Sequence, residues 1–138
     1  MPILVGSTLA LAVSLMATWT SLDRERGLYP VIVIVSAACY ILFALMDGGA
    51  SAVVAELVPF AIFLTLALLG FKRNLWLIVV ALAGHGIFDV SHAALIADKG
   101  VPQWWPMFCL SYDVTAALYL TWRLNRAAMV PVLEAQSS

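Results

Sequence analysis

Five long apolar runs, separated by short polar breaks, organise this chain. They extend roughly from Ile3 to Thr20, Pro30 to Met46, Ser51 to Gly70, Asn74 to Ala97 and Trp104 to Leu124. Each is close to the ~20 residues an α-helix needs to cross the hydrocarbon core of a bilayer, the second being the shortest. The breaks SLDRERGLY, DGGA, FKRN and ADKGVPQ are too short to fold outside a membrane, and residues 125–138 form a short tail. In lipid every backbone polar group must be satisfied internally, so runs of this kind read as helices. The pattern predicts one all-α domain, an integral membrane bundle of about five transmembrane helices.

The ends of the runs carry interfacial punctuation. Trp19, Tyr29, Trp76, Trp104, Trp105, Tyr119 and Trp122 fall near predicted ends, where amphipathic rings favour the membrane–water boundary. The Trp104–Trp105 pair reads as an anchor of this sort or as a gate for lipid or substrate. Pro30 and Pro106 stand at helix starts, where a missing N–H costs little. Asp47 reads as a cap at the end of the second helix. In the first run Gly6, Ala10, Ser14 and Thr18 recur every four residues, a small-residue stripe suited to close helix packing.

Composition sharpens the assignment. Of the 138 residues, 64% are hydrophobic and 11% charged, against about a quarter charged in ordinary soluble domains. A soluble domain this small has too much surface to cover with so few charges, so the apolar residues must face lipid. The net charge of -1 offers no basic face for nucleic acid. Cys39 and Cys109 lie inside apolar runs and do not form a disulfide framework. No Lys or Arg precedes the first run, so it lacks the basic region of a secretory signal and reads as a retained helix.

The basic residues set an orientation. Arg24 and Arg26 follow the first run, Lys72 and Arg73 the third, Arg123 and Arg126 the fifth, and Lys99 stands alone opposite. With five spans the three pairs share one side. The positive-inside rule then puts the C-terminus in the cytoplasm and the N-terminus outside.

Candidate chemistry is concentrated in the fourth run, GHGIFDVSH. His85, Asp89 and His92 stand at i, i+4 and i+7, within about 60° of one helix face. Glu56 lies in the third run and Asp113 in the fifth, with Cys109 one turn before Asp113. At ~1.5 Å rise per residue, Glu56 and His92 lie roughly 7 Å below the outer ends of their helices; Asp89 and Asp113 lie about 12–14 Å down, and His85 about 18 Å. All five therefore occupy the outer half of the membrane. Pro59, one turn after Glu56, removes a helix hydrogen bond, and Gly84 and Gly86 flank His85 where another backbone could approach.

Ionisable residues inside a span are expensive and mark function or buried pairing. Three readings compete. A metal site would use His and carboxylate ligands, which suit zinc, iron or copper. His85 and His92 are about 10.5 Å apart along the axis, too far to share one ion easily. Asp89 and His92 are therefore the first ligand candidates, joined by Glu56 or Asp113, with His85 in support or in a deeper site. A proton or ion path would step along the same groups, although the cytoplasmic half carries no matching ladder. A structural polar core would pair His with acid to hold helices together, at under about 1 kcal/mol per contact. No Gly-rich phosphate loop and no Ser or Cys hydrolase motif is present.

The segment from Gly84 to Asp113 resembles a family of small bacterial integral membrane proteins of unknown function. The resemblance rests on GHGIFDVSH, the VPQWWPMFC loop and SYD, matching His85, Asp89, His92, Trp105, Pro106, Cys109 and Asp113. It covers the last two helices, implies a bacterial cytoplasmic membrane, and carries no activity with it. The chain is also loosely similar to membrane-embedded zinc hydrolases of the alkaline ceramidase type, which assemble His and Asp across several helices. With two histidines, one copy cannot build a three-histidine zinc site. The expected function is a metal-binding membrane protein, with or without metal-dependent chemistry on a small or lipid-soluble substrate. The alternatives are a small transporter or proton-conducting component, and an accessory subunit of a larger membrane complex or homo-oligomer with a structural polar core.

Overall fold

The computed structural model describes residues 1–22 and 26–137, and the side chains of all of these except 47, 48 and 129–137. Five helices follow one another: α1 (Pro2–Thr20), α2 (Leu28–Phe43), α3 (Ala50–Lys72), α4 (Trp76–Leu95) and α5 (Trp105–Ser137). Helices α1 to α4, with α2 extended to Met46, are long and apolar enough to cross a membrane. A π-helical turn, Ala44–Gly48, continues α2 into the bend before α3. The capping role expected of Asp47 lies outside the described side chains, and Arg24 outside the described residues. At the start of α4 the Asn74 side chain accepts a hydrogen bond from the Trp76 N–H at 3.0 Å, satisfying one of the orphan donors of a helix N-terminus.

The last helix departs from the expected span. It does not stop near Leu124 but runs on to Ser137, through a tail rich in good helix formers such as Ala127, Ala128, Leu133 and Glu134. Hydropathy marks where a chain leaves lipid. It does not mark where a helix ends.

The outer surface of the bundle is apolar. Leu4, Leu15, Val54, Val58, Ile87 and Leu118 are exposed, as lipid-facing positions would be. Inside, Tyr29, Val33, Phe63, Ala67, Ile78, Leu82, Ala117 and Leu120 form an apolar core. Helix α1 packs on α5, α5 on α4, α4 on α3 and α3 on α2, while α2 also touches α4. Most of the stripe on α1 is consumed within the chain: Gly6, Ala10 and Ser14 are buried, as is Ala17, while Thr18 is exposed. A Cβ at Gly6 would collide with the Phe108 carbonyl and the Ser111 hydroxyl of α5, so only glycine admits this approach. Further along, the Thr18 and Tyr119 hydroxyls share a hydrogen bond at 2.9 Å.

One end of the bundle gathers basic residues. Arg26 donates to the Gly70 carbonyl at 3.4 Å, and Arg26, Leu75 and Arg123 border the same small cavity. The chain after α1, after α3 and late in α5 therefore meets at one end. The ionisable residues of α4 lie on its buried face, directed at α2, α3 and α5.

Candidate metal centre

The α4 face predicted from spacing forms the spine of the site. His85, Asp89 and His92 are all buried, as are Glu56 from α3 and Asp113 from α5. None of these five carboxylate or imidazole groups is paired with Lys or Arg among the described residues; their ionic partners are one another.

They divide into two sets. In the first, Asp113 Oδ2 lies 2.8 Å from His85 Nδ1, and Asp89 Oδ2 lies 3.3 Å from the same nitrogen. One nitrogen carries at most one proton, so it cannot donate well to both carboxylates. Ligand atoms from His85, Asp89 and Asp113 all fall within 4.8 Å of one another. In the second set, His92 Nε2 and Glu56 Oε1 share a short hydrogen bond of 2.5 Å. The structure thus places Asp89 with His85 and Asp113. His92, hydrogen-bonded to Glu56, sits beside that group and outside it.

Tyr40 of α2 joins the two sets, and the sequence reading passed over it. Its hydroxyl donates to Asp89 Oδ1 at 2.5 Å, while its ring stacks on His92 with centroids 4.3 Å apart. A phenol in the middle of an apolar run was the available signal, because a buried Tyr hydroxyl usually finds a partner. Phe63 sets its ring against His85 at 4.8 Å, and Phe88 against His92 at 5.4 Å. These rings wall the polar groups off from the lipid-facing surface.

Gly86 explains how α5 delivers Asp113. A Cβ there would meet Leu110 Cδ1 at 3.3 Å and the Leu110 Cα at 3.6 Å, so the α5 backbone lies against this glycine. Gly84 has only a Phe63 ring atom within reach, at 3.9 Å. Of the two glycines flanking His85, only Gly86 serves the close approach.

Compared with family models, with curated proteins and with solved structures, the chain matches none. The chemistry of the site rests on its own residues.

Four atoms define the electrostatic problem. Among the described residues His85 Nε2, Asp113 Oδ1 and Glu56 Oε2 are buried with no hydrogen-bond partner, and Asp89 Oδ2 has only its 3.3 Å approach to His85 Nδ1. An unpaired polar group in an apolar interior is costly, and an unpaired charge far more so. Two carboxylates around one imidazole can carry a formal charge of -2, or -1 with the ring protonated. A divalent cation would neutralise the ionised pair. The donor set of one nitrogen and two carboxylates fits zinc, iron or copper(II). His85, Asp89 and Asp113 thus form a buried group that can hold a metal ion.

Proposed function

We propose that this chain is a multi-pass membrane protein that binds a transition metal, zinc, iron or copper, through His85, Asp89 and Asp113. The observation that carries the proposal is their convergence within 4.8 Å, with buried atoms that lack a hydrogen-bond partner on all three residues. Tyr40 would act as the outer partner of the site. By holding Asp89 Oδ1 it leaves Oδ2 for the ion, as hydrogen-bonded carboxylates commonly do around metals. A bound ion of this kind supplies Lewis acidity or redox capacity within a dry site. The chain's own residues fix its position, and the Glu56–His92 pair lies beside it as a group able to take up or release a proton.

In this reading the basic end of the bundle is cytoplasmic and the site lies in the outer half of the membrane. Support comes from Arg26 after α1, Lys72 and Arg73 at the end of α3, and Arg123 and Arg126 near the end of the apolar part of α5. It requires α5 to cross as well, which its passage from Trp105 beyond Arg123 makes long enough.

The test is elemental analysis of detergent-purified protein beside the variants Asp89→Asn and Asp113→Asn. About one equivalent of metal in the native chain, lost in both variants while the bundle stays folded, is the expected result. Unchanged metal content in the variants would sink the assignment. No metal in the native protein after reconstitution would shift the reading to proton or ion conduction, or to a structural polar core.

A further inference from the structure

Among the described residues helices α2 and α5 approach each other far less than each approaches α4, meeting at one end where Phe43 packs on Trp105. Between them, beside α1, lies a cavity of about 270 Å³ lined by residues of these three helices. Its rim carries Leu9, Val31 and Val35, whose side chains are 45%, 56% and 55% exposed on the lipid-facing surface. Its depths reach Asp113 and Cys109, which are 0% and 3% exposed. The cavity is therefore a slot that opens sideways, toward acyl chains, and ends on a residue of the metal group. From Val31 to Cys39 its α2 wall covers about 12 Å of helix.

Charge decides what could enter. Among the described residues no Lys or Arg lines the slot, so an anionic head such as a carboxylate or phosphate would find no counter-ion there and would face the Asp113 carboxylate. The polar groups on its lining residues are the Asp113 carboxylate, the Ser36 and Tyr112 hydroxyls, the Trp105 indole N–H and two thiols. Asp113 Oδ1 is buried with no hydrogen-bond partner, and a carboxylate oxygen has lone pairs enough to hold an ion and still accept from a hydroxyl. The volume is just below the roughly 300–1,000 Å³ of sites that enclose a whole drug-sized ligand. It accommodates a small head and the first part of a chain, with the remainder left among the lipids.

We propose that this slot is the lateral binding site for a neutral, lipid-soluble alcohol or phenol, whose hydroxyl reaches Asp113 at the edge of the metal group. The choice of a neutral head rests on the metal reading, because a bound divalent ion balances the charges of Asp89 and Asp113. Without the ion, Asp113 would favour an alkylammonium head instead. Trp105 lines the slot and packs edge-on against Phe43 at 5.0 Å. One member of the tryptophan pair thus borders the way in, while Trp104 is exposed.

The experiment is photo-crosslinking of the full chain in lipid nanodiscs with a diazirine-bearing dodecanol, followed by peptide mapping. Dodecanol, dodecanoate and dodecylamine serve as competitors. Label is expected in residues 31–39 and 105–112 above the level on the outward face of α3, with dodecanol the best competitor. Val35→Trp and Leu9→Trp, on different helices and outside the metal group, are each expected to cut that labelling about tenfold while metal content stays native. The variant that retains native metal content and elution is the one read, or both if both do. Persistent cavity labelling in the plugged protein, or labelling no stronger than on α3, would overturn the slot. Competition by dodecanoate equal to dodecanol, or stronger competition by dodecylamine, would overturn the neutral head. Metal content is measured separately, so a slot that labels in a metal-free protein tells against the metal reading alone.

Discussion

His85 and Asp113 come from different helices, 28 residues apart in the chain, and meet with Nδ1 and Oδ2 at 2.8 Å. The contact ties α4 to α5 in a buried setting where neither group can turn to water. Asp89 shares the same imidazole nitrogen at 3.3 Å. Two acids competing for one nitrogen form a strained charge arrangement without a cation and a reasonable ligand set with one.

Tyr40→Phe separates orientation from packing. The variant keeps the ring stacked on His92 but loses the hydroxyl that holds Asp89 Oδ1. Outer partners of metal ligands typically contribute about 10–100-fold in affinity. Competition against a chromogenic chelator should show a loss in this range with the helical spectrum unchanged. Native affinity would mean that Asp89 is held by other means.

The two histidines should behave differently. His85→Ala removes a member of the metal group and is expected to abolish metal binding. His92→Ala leaves the group within 4.8 Å intact but strands Glu56 without its partner. That variant should retain metal and lose about 1–3 kcal/mol of stability, the cost of an unsatisfied buried polar group. Unfolding measured in bicelles should show His92→Ala/Glu56→Leu to be more stable than His92→Ala alone. Metal loss in His92→Ala equal to that in His85→Ala would instead make His92 a ligand, as the sequence spacing first suggested.

Glycine substitutions probe the helix approach without touching a ligand. Gly86→Val pushes against Leu110, including its backbone, and overpacking of this kind costs typically about 1–3 kcal/mol. Moving α5 should also pull Asp113 from His85, so metal content should fall together with stability. Gly84→Ala meets only the Phe63 ring at 3.9 Å and should leave both near native. Equal effects at the two positions, in paired thermal-stability and metal measurements, would refute this account of how α5 is seated.

What the sequence determined by itself was whatever depends on local order along the chain. Hydropathy is summed over neighbouring residues, so the apolar runs were legible, and four of the five helices are long and apolar enough to span. The helical period is equally local, which is why His85, Asp89 and His92 could be placed on one buried face from spacing alone. The stripe of Gly6, Ala10 and Ser14 announced a close contact in the same way. Which helix would fill that contact was not written there, and α5 does so because the Phe108 backbone and Ser111 leave room only for glycine. The tertiary structure alone decided the partners. Spacing favoured Asp89 with His92, but side chains one helical turn apart need not share an ion when neighbouring helices bring closer groups. Glu56 takes His92, Asp113 takes His85, and Tyr40 claims one oxygen of Asp89. Those pairings depend on how four helices rotate and rise against one another, a long-range quantity absent from any window of sequence.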